Sequence, residues 1–283
     1  MPQDSKIKII SEIGINHNGS MELAKKLIYL AKEAGSDYAK IQKRNPDVCV
    51  PEEQKNKIRE TPWGSMTYLN YKKKIEFSES DIKELCDYSK EIGINFFASV
   101  WDCDSVDIMK KYTKIGKIPS ALINDLELCK YARDNFETLI ISTGMSTEEE
   151  IEECINICDP DIIMHTNSTY PCPPEDLNLR YITYLKQKYP DKSIGYSGHE
   201  IGLATSYASV VLGAEWVERH FTLDKNMWGS DQSSSIEVDE MTSLIRGIRD
   251  IEKSIQYNAG PRLQFEKENI KKKSLRRIIT KNI

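Results

Sequence analysis

His199 and His220 are two of the four histidines in this chain, set in the short runs "SIGYSGHE" (193–200) and "EWVERHF" (215–221). Two neutral imidazoles, completed by water and a substrate oxygen, make a site for a divalent ion such as Mn²⁺, Co²⁺ or Zn²⁺. Polar residues close other apolar runs in the same way: Glu12, Lys40 with Gln42, Ser99, Lys117 with Ser120, Ser142, His165, Ser197 and Glu218. Two lysines and several hydroxyls around one opening suit a phosphate or carboxylate, with lysine supplying point charge and hydroxyls supplying directed donors. Taken singly, each has a plainer reading. A lysine ending a strand is ordinarily paired or snorkelling, a serine is a cap or turn residue, and a histidine pair can be hydrogen-bonded core. Recurrence on successive runs argues for a shared site. His17 and His165 carry a weaker claim, His165 as a buried tautomer bonded to backbone.

The runs that carry these residues are strand-like: 7–14, 37–42, 94–99, 114–119, 138–142, 161–165, 193–197 and 215–221. Between them the apolar spacing turns helical. "MELAKKLIYLAKEAG" follows Ser20 as N-cap and stops at Gly35, and a second helix starts at Ser78 or Ser80 and stops at Gly93. Further helices are expected near 104–113, 125–134, 147–157 (capped by Ser146 or Thr147), 178–189, 202–213 and 239–256. Strands separated by helices pair in parallel with right-handed crossovers. Eight such units predict a (β/α)8 TIM barrel over residues 1–260, with an open doubly wound sheet as the alternative. In a barrel the polar strand ends converge on one mouth, so the charged end of "EWVERHF" faces a site. The polar stretch 43–77 reads as a loop on that face. Residues 261–283, with six basic residues in 271–281, read as a solvated tail or linker remnant.

Composition narrows the class. With 39% hydrophobic and 29% charged residues and a net charge of −5, this is no bulk nucleic-acid binder. No run approaches the roughly 18 apolar residues of a spanning helix, and "MPQDSKIKII" has no secretory h-region. Seven cysteines (49, 86, 103, 129, 154, 158, 172) form no paired framework, so reduced thiols and the cytoplasm are expected.

Six ordered motifs, "SEIGINHNG" (11–19), "AKIQ" (39–42), "STGMST" (142–147), "YPCP" (170–173), "GYSGHE" (195–200) and "ERHFTLD" (218–224), resemble the sialic acid synthase family. Its members condense phosphoenolpyruvate (PEP) with an aldose to give a 2-keto-3-deoxy sugar acid. The resemblance implies a (β/α)8 barrel, a divalent metal, typically Mn²⁺, on His199 and His220, and small-molecule substrates handled by a homo-oligomer. It implies PEP contacts from Lys40, Gln42, Ser99, Lys117, Ser120, Ser142 and Ser197, and acceptor contacts from Glu12, Tyr170 and Asp231. Glu12, Lys40 and Lys117 are the expected catalytic residues. The chain departs from the family pattern at Leu122, where a sugar-binding carboxylate is usual, at Ser99 in "ASVWD", where Thr is usual, and at Gly198, where many members carry Asp. It also stops about where members continue into an antifreeze-like domain. Leu122 implies an acceptor less polar at that point. Two rivals stay open: a lysine Schiff-base aldolase on the same barrel, and a non-catalytic sugar-acid-binding barrel.

Overall fold

A computed structural model describes residues 7–255; the basic tail read at 261–283 lies outside the described residues. Eight parallel strands close into a barrel: β1 (Lys8–Gly14), β2 (Tyr38–Lys43), β3 (Asn95–Val100), β4 (Ile115–Ile118), β5 (Thr138–Ser142), β6 (Ile162–Thr166), β7 (Ser193–Gly198) and β8 (Trp216–His220). Neighbours follow chain order, and β8 pairs with β1, so the sheet has no edge. The expected closed barrel is the observed one.

Each strand is followed by a helix: α1 (Met21–Ala34), α2 (Glu79–Ile92), α3 (Cys103–Met109), α4 (Leu126–Asn135), α5 (Glu148–Cys158), α6 (Tyr181–Lys188), α7 (Ala204–Val211) and α8 (Val238–Ser254). Ser20 caps α1 and Gly35, at φ +96°, ends it, while capping boxes pair Ser78 with Asp81 and Thr147 with Glu150. Several helices are shorter than their apolar pattern. The segment before α6 is one case, because Asn178 adopts a left-handed φ of +44° and delays the start to Tyr181.

Strand alternation divides the side chains into two sets. Outward residues such as Ile9, Ala39, Ile141, Ile163 and Val217 join the helices in one large core. Inward residues at the strand starts form a separate plug of Ile10, Phe97, Ile140, Ile162 and Met164, flanked by Tyr38, Ile115 and Trp216. Two residues further along each strand, the same inward face turns polar. The plug therefore closes the lumen beneath a charged layer at the C-terminal strand ends.

The stretch 43–77 corrects the reading as a plain loop. It holds short helices at Pro46–Cys49, Glu52–Lys55 and Tyr68–Ile75 and a hairpin pairing Ile58–Arg59 with Met66–Thr67. Asn45 and Thr67 accept N-cap hydrogen bonds there, and Ile15, Tyr71 and Ile75 give the insertion a small core of its own.

Candidate active site

The charged layer floors a cavity of about 230 Å³ lined by Glu12, Lys40, Gln42, Ser99, Trp101, Lys117, Ser120, Ser142, Tyr170, Ser197, His199, Glu218 and His220, among others. Parallel register explains the convergence. Glu12 lies beside both Lys40 and His220, Ser99 beside Gln42 and Lys117, and Ser197 beside Glu218. Every predicted site residue except Asp231 lies on this wall. Asp231 stands outside it, accepting from the Ser230 hydroxyl, although its charge reaches Tyr170.

The floor is an ion network with little solvent. Lys40 contacts the Glu12 carboxylate and donates to Ser99 Oγ at 2.8 Å. Lys117, on β4, reaches across the lumen to Glu218 on β8, with Nζ 2.8 Å from Oε1. The same oxygen is 3.6 Å from Lys40 Nζ and accepts from Ser197 Oγ at 3.2 Å. All four charged side chains are at most 5% exposed. Burial raises the Glu12 carboxyl above the usual carboxylate range, opposed by Lys40 and aided by the neighbouring Glu218. Burial also works against the Glu218 anion, but Lys117 and Lys40 outweigh it and hold that carboxyl low. Desolvation lowers the Lys117 ammonium, against the pull of Glu218. Two carboxylates thus sit in environments that drive them apart, Glu218 toward a fixed anion and Glu12 toward holding a proton.

Glu218 is the residue the sequence reading undervalued: it stood among the strand-end residues but was given no role. The alternation Trp216-in, Val217-out, Glu218-in, Arg219-out was the available signal. Arg219 points the other way from its neighbours, into the layer between barrel and helices. There its guanidinium meets Glu200 at 2.9 Å and donates to Ser206 Oγ and to the Gly202 and Glu200 carbonyls. Of the cluster Glu218, Arg219 and His220, only the first and last face the site.

The two histidines occupy one wall with ring centroids 5.4 Å apart. His199 Nδ1 donates to the Asn167 carbonyl at 2.6 Å, which fixes the tautomer and leaves Nε2 as the lone pair. That atom accepts from Tyr170 Oη at 2.8 Å. Burial, then His220, pushes His199 down to about 3, so it is neutral, the form a metal ligand requires. His220 Nδ1 is buried with no hydrogen-bond partner among the described residues. No cluster of three or more His, Cys, Asp or Glu able to hold a metal occurs among those residues. Two imidazoles without a third protein ligand would suit only an open divalent site completed by substrate and water, not a closed structural one. Gly14 keeps the space beside it free: at φ +55°, an added Cβ would come 3.2 Å from Glu12 Oε1 and 3.3 Å from His220 Cε1.

The other two histidines have structural partners. His165 points outward and its Nε2 donates to the Leu177 carbonyl at 2.7 Å. His17 stacks on Phe77 at 4.3 Å, accepts from the Gly19 N–H, and is pushed down to about 3 by burial and by Arg44. Leu122 is not on the cavity wall. It packs against the main core, and Ala121 lines the cavity in its place, which removes the ground for expecting an apolar acceptor face there. At Gly198 any Cβ would run into the Glu200 carboxylate and the Tyr196 ring, so the partner of Arg219 leaves no room for a side chain.

Residues 27–259 match the family described as the NeuB family. The chain is 38% identical over 258 residues to the N-acetylneuraminate-9-phosphate synthase of Mus musculus, covering 87% of this chain and 70% of that protein. It is 35% identical over 279 residues to the N,N'-diacetyllegionaminic acid synthase of Campylobacter jejuni, covering 94% of this chain and 82% of that one. Among solved structures, the N-acetylneuraminic acid (sialic acid) synthetase of Leptospira borgpetersenii, in complex with citrate, superposes with a TM-score of 0.84 at 31% identity, covering 96% of this chain and 93% of that one.

Proposed function

The chain belongs to the NeuB family, and we propose from that premise that it condenses PEP with an aldose to give a 2-keto-3-deoxy sugar acid and inorganic phosphate. The observation that carries this reading is the pair Lys40 and Lys117 on the cavity floor, held by Glu12 and Glu218 among serine hydroxyls that line the same cavity. PEP brings a carboxylate and a phosphate, and these two ammonium groups with Ser99, Ser120, Ser142 and Ser197 bind both. Ser142 Oγ is buried with no hydrogen-bond partner among the described residues, which an anion oxygen would supply. Fixing PEP against the acceptor aldehyde is a positioning effect able to remove several kcal/mol from a barrier.

As the PEP C3–aldehyde carbon bond forms, Glu12, its carboxyl raised by burial, gives a proton to the aldehyde oxygen, which becomes a hydroxyl. Water adds at C2 and returns a proton to Glu12. The C2–O bond to phosphate then breaks, the C2 hydroxyl proton passes to the departing phosphate, and the ketone forms. Glu218 stays ionised and keeps both lysines in place. Tyr170, at the mouth, orients the acceptor. A divalent ion, Mn²⁺ above others, held by His199 and His220 would supply Lewis-acid polarisation of the aldehyde oxygen when bound. We propose the cytoplasm as the setting of the reaction, where the seven free cysteines would stay reduced.

One observation favours a second reading. Lys117 is buried and its ammonium is lowered, as an amine nucleophile requires. An acceptor panel with PEP and Mn²⁺, read as phosphate release with mass spectrometry of the product, tests the synthase. Phosphate release that depends on the aldose supports it. Borohydride trapping of pyruvate on the protein without consumption of PEP would replace it with the aldolase, and neither result would leave a binding barrel.

A further inference from the structure

Gln42 follows Lys40 on the inward row of β2 and lines the cavity, whereas Arg44, two residues on, does not reach the lining. Arg44 is buried behind the wall. Its guanidinium donates through Nη2 to Gln42 Oε1 and lies 4.7 Å over the ring of Trp101, another wall residue. Arg44 is itself held by the insertion. Glu76, just past the helix Tyr68–Ile75, accepts from the Arg44 backbone N–H at 3.0 Å and lies 3.4 Å from its Nε. The same carboxylate pairs with Lys43 at 2.9 Å.

A guanidinium donates hydrogen bonds and never accepts them. The atom of Gln42 that faces Arg44 must therefore be the carbonyl oxygen, which turns the NH2 group the other way. Gly14 shows where that group lies. A Cβ on Gly14 would stand 3.4 Å from Gln42 Nε2, 3.2 Å from Glu12 Oε1 and 3.3 Å from His220 Cε1. Nε2 thus shares one small volume with two groups of the active site, and no described residue accepts a hydrogen bond from it. An amide without this clamp would also present its oxygen to the lumen, where a bound anion repels it.

We infer that Arg44 is a positioning residue for anion binding, fixing the Gln42 amide so that its NH2 faces the lumen and donates to an oxygen of PEP. The identity of the anion rests on the synthase reading. Arg44 acts through Gln42 and not by touching the ligand, and the contact from Glu76 makes the insertion part of the same brace.

The test is calorimetric titration of PEP into the unmodified protein, Arg44→Met, Gln42→Met and the double variant. Lys43 still neutralises Glu76 in Arg44→Met, so the fold is expected to persist. Gln42→Met should weaken PEP binding about 10- to 100-fold, as for a lost hydrogen bond to a charged group. Arg44→Met should cause a smaller part of that loss, about 2- to 10-fold, and none at all in the Gln42→Met background. In turnover with an aldose, the KM for PEP should rise in Arg44→Met while kcat and the acceptor KM stay close to those of the unmodified protein. An equal loss in both backgrounds would mean that Arg44 acts by its charge and would overturn the inference, as would unchanged PEP binding in Arg44→Met. The Gln42 side-chain amide resonances, assigned by their absence in Gln42→Met, give a second readout that needs no arginine variant. They should shift when PEP is added to the unmodified protein, and unshifted resonances would also overturn the inference. If the binding pattern holds but no aldose consumes PEP, the synthase reading fails and the role of Arg44 stands. Turnover with additive binding losses removes the role of Arg44 alone, and absence of PEP binding to the unmodified protein removes both.

Discussion

Arg219 is the place to test how the site is held. Its guanidinium is 1% exposed and Glu200, its partner at 2.9 Å, is 0% exposed. Glu200 follows His199 in sequence, and Arg219 lies between Glu218 and His220, so the pair ties the ends of β7 and β8 together behind the histidine wall. Replacing Arg219 with Met leaves a buried carboxylate without its counterion. Breaking such a pair from one side costs about 3–5 kcal/mol. The Tyr196, Thr205 and Ser206 hydroxyls still donate to Glu200, at 2.8, 2.6 and 3.1 Å, which places the expected loss near the lower figure. For a chain of 283 residues the unfolding entropy is roughly 0.6 kcal/mol per kelvin, so Tm should fall by about 5 °C. Adding Glu200→Gln removes the stranded charge, and the double variant should lose less than the two singles combined by about 1–3 kcal/mol. Urea denaturation of the four proteins measures the coupling. A loss below 1 kcal/mol in Arg219→Met, or strict additivity in the double variant, would refute the reasoning.

Lys40→Met and Lys117→Met should each raise the PEP requirement far more than the acceptor requirement in steady-state kinetics; the opposite split would assign them to the sugar. His199→Ala or His220→Ala should abolish EDTA-sensitive turnover while circular dichroism shows an intact fold, and full metal-dependent activity in His220→Ala would remove the metal assignment.

The barrel was legible because the helical and strand periods alternate cleanly, and the mouth was legible because polar residues fall at the same place in each period. What periodicity cannot carry is contact across the lumen. Lys117 and Glu218 are 101 positions apart and on opposite strands, so their pairing comes only from closure of the barrel. Arg219 was misread for a related reason: a charged residue was assumed to face the site, although alternation alone turns it outward. Leu122 failed as a specificity marker because motif alignment gives a position and not a direction, and the turn at Ser120–Leu122 presents Ala121 instead. The insertion at 43–77 carries structure that short capped turns supply without any long apolar period.

The apolar plug beneath the charged floor has a kinetic consequence. A well sealed by Ile10, Phe97, Ile140, Ile162 and Met164 opens at one end only, so whatever occupies the lysines must pass the mouth before the acceptor fills it. In the proposed reaction that enforces a queue: PEP enters first, the acceptor second, the sugar acid departs first and phosphate last. Inorganic phosphate should then compete with PEP but not with the acceptor, and a bulky acceptor in excess should trap PEP inside the well instead of displacing it.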